Sequence, residues 1–466
     1  MIKLFHHTAI GSALLVLLFS CKDDDKAATD GCNIIDQDCE TDLVCEQVNN
    51  GETICAMPLY IRGTTLDFSN ETPVPDAVIQ ALDPNLSPIG RSDVSASDGV
   101  FLLQVPAVRD ENGVPLDDNY TLRAQAAGYQ LFPSSFRPSL PLNASSAVEE
   151  ADGWVIESAL STISLLPLPD AGTAMGTISG AIRSESCAGI LVVAESDNTG
   201  LPGYSDDACN FVIFNVPAGS YTVSGYAANI QLTSVSVDVV SGETTTGVVL
   251  DSRDSRMTTV KGNVQIVNAP GDSVTSVVLA VESTFVESVQ RGQVPPGLRA
   301  GEVTGAFEFS NVPDGRYVVL AAFENDALVR DPDESIGGTQ IVHIEVPPTD
   351  GGELLQISDG FKVTEALEVV APGAVEPEGV TTPTPTFEWT DDSSEDTYII
   401  IVYDAFGDEI WKESIDGVSG QKTVSLTYAG PELETGMYYQ FRVTSQKDGT
   451  SISATEDLRG VFFLAL

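Results

Sequence analysis

The chain has 466 residues, 42% of them hydrophobic, with 68 acids against 22 bases and a net charge of −46. That is length for two to four domains with real cores, and its sign argues against nucleic acid, whose binding needs a basic surface to neutralise phosphates. It also disfavours lying flat on an anionic membrane and favours a dispersed, soluble surface.

In chain order, residues 1–20 carry a secretory signal: Lys3 supplies the charged start and Ile10 to Phe19 an apolar segment too short to span a bilayer. Six cysteines follow Cys21, an even number. Cys32, Cys39, Cys45 and Cys55 cluster as a two-bridge knob over 32–56, with three connectivities open. Their spacing does not match the Cys-x-x-Cys pairs of zinc sites. Cys187 and Cys209 are expected to pair, closing a loop of roughly 20 residues.

Beyond the knob, short strand-like runs alternate with turns rich in Gly and Pro. Asn215-Val216-Pro217-Ala218-Gly219-Ser220-Tyr221 returns as Asn311-Val312-Pro313-Asp314-Gly315-Arg316-Tyr317. A looser copy runs from Val105-Pro106 to Tyr120. Each reads as a strand stopped by proline, a turn, and a strand opened by tyrosine. A motif returning about once per 100 residues means one small β-domain used several times. The insertion from Ala107 to Asn119 in the first copy reads as an exposed loop. Counting back from Val-Pro predicts that Val100 and Leu102, Phe211 and Ile213, and Phe307 and Phe309 face their cores. The opposite face holds Phe101 and Leu103, Val212 and Phe214, and the polar pair Glu308 and Ser310. Tyr120, Tyr221 and Tyr317 are expected to pack at corners rather than to serve as ligand platforms. Pro372 to Pro385 reads as a semi-stiff linker.

Several of these stretches resemble known families. Leu18-Phe19-Ser20-Cys21 resembles the lipobox of bacterial lipoproteins, which implies cleavage before Cys21 and its lipidation, leaving a mature charge of −46 − 1 = −47. Lys22-Asp23-Asp24-Asp25-Lys26 is similar to the surface-export signal of some Bacteroidetes lipoproteins. The run Leu59 to Gly63, Pro73-Val74-Pro75-Asp76-Ala77-Val78, Asp98-Gly99-Val100-Phe101, Val105-Pro106, Tyr120 and Gly128-Tyr129 resembles the carboxypeptidase regulatory-like domain, a transthyretin-type sandwich. The second and third copies follow it more loosely. Trp389 and Tyr439-x-Phe441-x-Val443 resemble a fibronectin type III domain, which implies that Trp389 is core.

The fold class expected is therefore all-β: tandem β-sandwich domains after a small Cys-rich knob. The divisions are signal peptide 1–20, acidic tether 21–31, knob 32–56, regulatory-like sandwiches 57–170, 171–252 and 253–371, linker 372–385, and a fibronectin-like sandwich 386–466.

Chemistry is sparse. His6 and His7 leave with the signal, so His343 alone remains, on the Glu345 side of an alternating strand, where a solvent-facing role is expected. A zinc peptidase site or a Ser-His-Asp triad needs histidine among specific partners. The acidic run Glu324, Asp326, Asp331, Asp333 and Glu334 is the one candidate for calcium, which takes several oxygens from one loop. Asp197, Asn198, Asp206 and Asp207 form a weaker analogue. The reading is a non-enzymatic, lipid-anchored cell-envelope protein: a multidomain stalk for surface display, adhesion or protein contact, on the outer membrane and facing outward or the periplasm. The alternatives are a carbohydrate-binding lipoprotein, since the regulatory-like fold resembles starch-binding sandwiches, and a calcium-dependent adhesin. Trp154 or Trp411 in an exposed concave row would favour sugar.

Overall fold

The computed structural model describes residues 29–30, 32–34, 39–40, 42–83, 88–133, 139–168, 175–197, 199–287, 290–322, 327–333, 341–349, 351–358, 360–418, 420, 422–435, 437–456 and 459–465. The signal segment, Cys21 and most of the tether lie outside them. Among the described residues the regular structure is strand, with three single-turn 3-10 helices.

A three-stranded sheet of Thr29–Asp30, Thr53–Ala56 and Val44–Gln47 forms the knob. Among the described residues its apolar centre is Val48, Ile54 and Ala56, too little to hold a fold of this size alone. Disulfides Cys32–Cys45 and Cys39–Cys55 supply the rest.

Four sandwiches follow; Leu191, Val193, Tyr204 and Tyr226 of the second also join the core of the third. The first packs Pro88–Val94, Val78–Leu82, Asn119–Gln125 and Leu142–Asn143 against a sheet centred on Leu59–Asp67. The second wraps eight strands around Ile178, Phe211, Ile213 and Val223. The third sets the sheet of Thr258–Val267 against that of Thr275–Val281 and Gly315–Ala321. The fourth closes on Phe387, Trp389, Ile400 and Phe441. Trp389 is fully buried there.

One device recurs in the first three sandwiches. A glycine in the opening strand lies directly opposite a phenylalanine of the third-strand motif: Gly63 opposite Phe101, Gly180 opposite Phe211, Gly262 opposite Phe307. The ring lies over the bare backbone. A Cβ added at these glycines would come within 2.4, 2.5 and 2.3 Å of the ring tip, closer than any side chain tolerates. The glycine is thus required by close approach, and the aromatic ring covers the backbone it leaves bare.

The tyrosines act as the corner residues expected. The hydroxyls of Tyr120, Tyr221 and Tyr317 donate to the carbonyls of Pro106, Pro217 and Pro313 at 2.8, 3.0 and 2.9 Å. Each bond ties the end of one strand to the start of the next and satisfies a carbonyl at a turn that proline has already taken out of the ladder.

The face expected for the first copy is wrong. Phe101 and Leu103 are buried, whereas Val100 and Leu102 are 39% and 46% exposed. The second and third copies carry a β-bulge at the asparagine of Asn-Val-Pro: Asn215 and Asn311 have φ of 60° and 55°, and the pairing shifts by one residue there. The first copy runs from Leu59↔Val105 to Thr64↔Val100 without a shift. One inserted residue exchanges the two faces of a strand, so counting back from Val-Pro puts the first copy out of phase.

The same asparagines join successive sandwiches. Asn215 accepts from the Gly128 amide at 2.6 Å and donates to the carbonyls of Ala126 and Tyr129, in the turn after the first sandwich's Tyr strand. Asn311 donates to Asn229 Oδ1 at 2.8 Å and its carbonyl accepts from the Asn229 amide, at the equivalent turn of the second.

The stretch 372–385 is not a free linker. It carries strand Glu378–Val380, paired parallel to Val461–Leu464. Val369–Ala371, expected to end the third sandwich, pairs with Thr386–Thr390 of the fourth. The fourth sandwich therefore starts near Val369. The chain also folds back. Phe68 of the first sandwich packs edge-on against Tyr438 and Phe463 of the fourth, with centroids 5.0 and 5.6 Å apart. Gln130 donates to the Ala405 carbonyl at 2.8 Å. A straight row of beads would keep these two sandwiches apart.

Candidate functional site

The insertion 107–119 is exposed at Val108, Glu111, Asn112, Val114, Asp117 and Asn119, as expected of a loop, but its other residues turn inward and clamp the knob. Arg109 is fully buried, and its Nε lies 2.5 Å from Glu46 Oε2. Its Nη1 donates to the Gly113 carbonyl at 3.2 Å. The Arg109 amide donates to the Gln47 carbonyl, and the Asn49 amide donates back to the Arg109 carbonyl. Glu46 also accepts from the Ala107 amide at 3.0 Å. Asp110 shapes the turn by accepting from the amides of Asn112 and Val114. Its burial pulls the carboxyl pKa up, but these hydrogen bonds outweigh it and hold the value below the ordinary carboxylate range. For Glu46 burial wins: its pKa stays raised in spite of the Arg109 charge and the hydrogen bonds from Arg109 and Ala107.

Docking the knob leaves an open cleft of about 910 Å³ between it and the first sandwich. Val105, Pro106 and Tyr120 form part of its floor, Leu43 and Val44 the knob wall, and Ile89 the far wall. Asp42, Asp83, Asp118 and Asp152 also line it. Arg91 is the one cation among its described lining residues, and it faces Asp207 of the second sandwich at 3.4 Å. Burial pushes the Tyr120 hydroxyl pKa far up, and the nearby charges of Asp118 and Glu46 push it further. Tyr120 is thus a neutral donor fixed on Pro106, not an acid or base. The cleft offers apolar surface with carboxylates around it.

The residues singled out from sequence fall elsewhere. Cys21 lies outside the described residues, as do Glu324, Asp326 and Glu334. Asp331 is buried and pairs with Lys362 Nζ at 3.3 Å, while the Asp333 amide donates to Asp331 Oδ1 at 3.0 Å. A calcium ion would compete with Lys362 for the same oxygens. Asp206 accepts from the Asn210 amide within its turn. Cys187 and Cys209 are joined by a disulfide. In the knob, the sulfurs of Cys32, Cys39 and Cys55 lie within 4.8 Å of one another because the two bridges sit side by side, and each is taken up in a disulfide. His343 is exposed on its strand; its Nδ1 lies 2.6 Å from Glu282, which also binds Arg316. Trp154 and Trp411 are half-buried and pack against the first and fourth cores, Trp411 edge-on to Tyr428 at 5.0 Å.

Sequence reasoning missed Glu46, Arg109, Asp118 and Asp152. A signal was present for Arg109, a lone cation in an insertion otherwise rich in Asp, Asn and Gly.

No protein-family model matches the chain, and no curated protein is detectably similar to it in sequence. Among solved structures, the Bacillus anthracis TIE protein is 11% identical over 84% of this chain and 67% of that one, with a TM-score of 0.15. A streptococcal ancillary pilin is 10% identical over 65% and 99%, at a TM-score of 0.16. Two B repeat units of the collagen binding protein of Staphylococcus aureus are 10% identical over 88% and 100%, at 0.18. At this degree of superposition neither architecture nor function is transferred from them.

Proposed function

We propose that the protein is a non-enzymatic, lipid-anchored component of the cell envelope that holds a folded-back body of four sandwiches at the outer membrane and presents it to protein partners. The observation that carries this is the clamp of Arg109 on Glu46. The knob next to the lipobox cysteine is fastened to the first sandwich by a buried ion pair and two backbone hydrogen bonds. The body is therefore held to its tether through fixed contacts rather than a swivel. Residues 21–28 can span at most about 29 Å when fully extended, so the body stays near the membrane. Multiple acyl chains at Cys21 give stable attachment.

In this reading the first three sandwiches are regulatory-like domains, supported by the repeated Gly–Phe pairs and Tyr corners, and the fourth is fibronectin-like, supported by the buried Trp389. Surface display follows from the Lys22–Lys26 signal. Sugar binding is less favoured, because Trp154 and Trp411 spend their faces on the cores.

The test is metabolic labelling with radioactive palmitate combined with protease treatment of intact cells. The wild-type chain takes up label and is cleaved from outside, and Cys21→Ala takes up none. An unlabelled wild-type chain, or one protected until the outer membrane is broken, overturns the anchoring or the outward orientation respectively.

A further inference from the structure

We propose that the cleft between knob and first sandwich binds a cationic peptide segment that carries apolar side chains. This deepens the reading of a partner-contact protein and rests on it.

The volume, about 910 Å³, is at the upper end of sites that enclose a compact ligand. Leu43, Val44 and Ile89, each partly exposed, give it apolar walls that gain by losing water. Asp42, Asp118 and Asp152 line the same space, and none forms an ion pair with another described residue. Asp83 is already engaged by the charge of Arg299. The lone lining cation, Arg91, is turned to Asp207. Charge complementarity therefore asks for a cation, and the field of a chain with 68 acids against 22 bases steers cations inward and repels anions.

The occupant must also cover apolar walls. The carboxylates of Asp42, Asp118 and Asp152 do not gather closely enough to hold one divalent ion, and a bare ion would leave the walls wet. A second copy of this chain would bring acids against acids. The tether Lys22-Asp23-Asp24-Asp25-Lys26 has more acids than lysines. A segment alternating Lys or Arg with Leu, Ile or Val meets both demands: its ammonium groups reach the aspartates and its apolar side chains sit between Ile89 and the knob.

The knob makes the site, because one wall belongs to it. The clamp at Glu46 and Arg109 sets the width of the cleft from behind, without lining it on the Arg109 side.

The test uses the purified full chain and a fluorescent Lys-Leu-Lys-Leu-Lys peptide, with Lys-Gly-Lys-Gly-Lys and Glu-Leu-Glu-Leu-Glu as comparisons. Asp118→Asn with Asp152→Asn is expected to weaken binding about tenfold, and Glu413→Gln with Asp416→Asn, a charge-matched pair on the fourth sandwich, less than about twofold. The glycine peptide is expected to bind about tenfold more weakly than the leucine peptide. In the wild-type chain, hydrogen exchange at the amides of Val105 and Ala107, which flank Pro106, should slow with the leucine peptide, a readout that needs no variant. Equal loss from the two variant pairs shows attraction by bulk charge and overturns the site. So does equal binding of the leucine and glycine peptides, or protection by a neutral oligosaccharide in place of the peptide. Failure here leaves palmitate labelling and protease cleavage on cells unchanged, so it is distinguishable from failure of the broader reading.

Discussion

Replacing Arg109 by methionine tests the clamp. The substitution keeps most of the side-chain volume and removes the charge. It leaves Glu46, 7% exposed, without the guanidinium at 2.5 Å and the Gly113 carbonyl without its donor. Removing one partner of a buried pair costs about 3–5 kcal/mol. The cost falls on knob docking rather than on all four sandwiches, so the readout should be local: hydrogen exchange at the amides of Arg109 and Asn49, which cross the seam. A loss of about 3 kcal/mol accelerates exchange through opening by roughly 10²-fold. The pH dependence carries a sign. Glu46 is raised above its ordinary value when folded, so the docked state binds more protons than the undocked one. Its stability then falls as pH rises through the folded pKa and recovers as pH drops. Without Arg109 that pKa rises further, so the Arg109→Met defect is greatest at neutral pH and shrinks toward acid. Adding Glu46→Gln removes the buried charge and most of the pH dependence. Acceleration below about threefold at neutral pH, or a defect that grows on acidification, would refute the reasoning.

Three further predictions follow from the repeats and the acidic segment. Gly262→Val drives a side chain into the Phe307 ring and should destabilise the third sandwich by about 1–3 kcal/mol, read as a lower urea midpoint; an unchanged midpoint means the ring does not rest on that backbone. Tyr317→Phe removes the donor to the Pro313 carbonyl in a fully buried corner and should cost about 1 kcal/mol, whereas Tyr221→Phe, at a more exposed corner, should cost less than about 0.5 kcal/mol. Equal losses would contradict the assignment of burial. Calcium at about 1 mM should leave the melting temperature unchanged, because Lys362 already neutralises Asp331. A rise abolished by Asp331→Asn would place the ion there.

Much of the fold was legible because the repeats are written in turn and packing chemistry. Pro and Gly mark where strands end, and tyrosine and phenylalanine mark what closes over them. The glycines of the opening strands were visible, but the rings that cover them were not, since pairing register is a relation between distant segments. The face error in the first copy has the same origin: the bulge at Asn215 and Asn311, where the first copy has Gln104, shows itself only in the pairing with a distant strand. The linker was misread because Pro, Thr and Gly are common to flexible segments and to edge strands such as Glu378–Val380. The cleft was least legible. It exists only where a disulfide knob meets an insertion 60 residues later, and Asp118 and Asp152 look like ordinary surface acids in a chain that has so many.

The most direct test of the folded-back body is solution X-ray scattering of the full chain carrying Cys21→Ala, which removes the thiol proposed to be acylated. A compact chain of 466 residues has a radius of gyration near 23 Å, and four sandwiches in a straight row come to about 40 Å, both on the scaling for globular domains. The contacts of Phe68 with Tyr438 and Phe463 predict a value below about 30 Å. A value near that of the row would contradict the account.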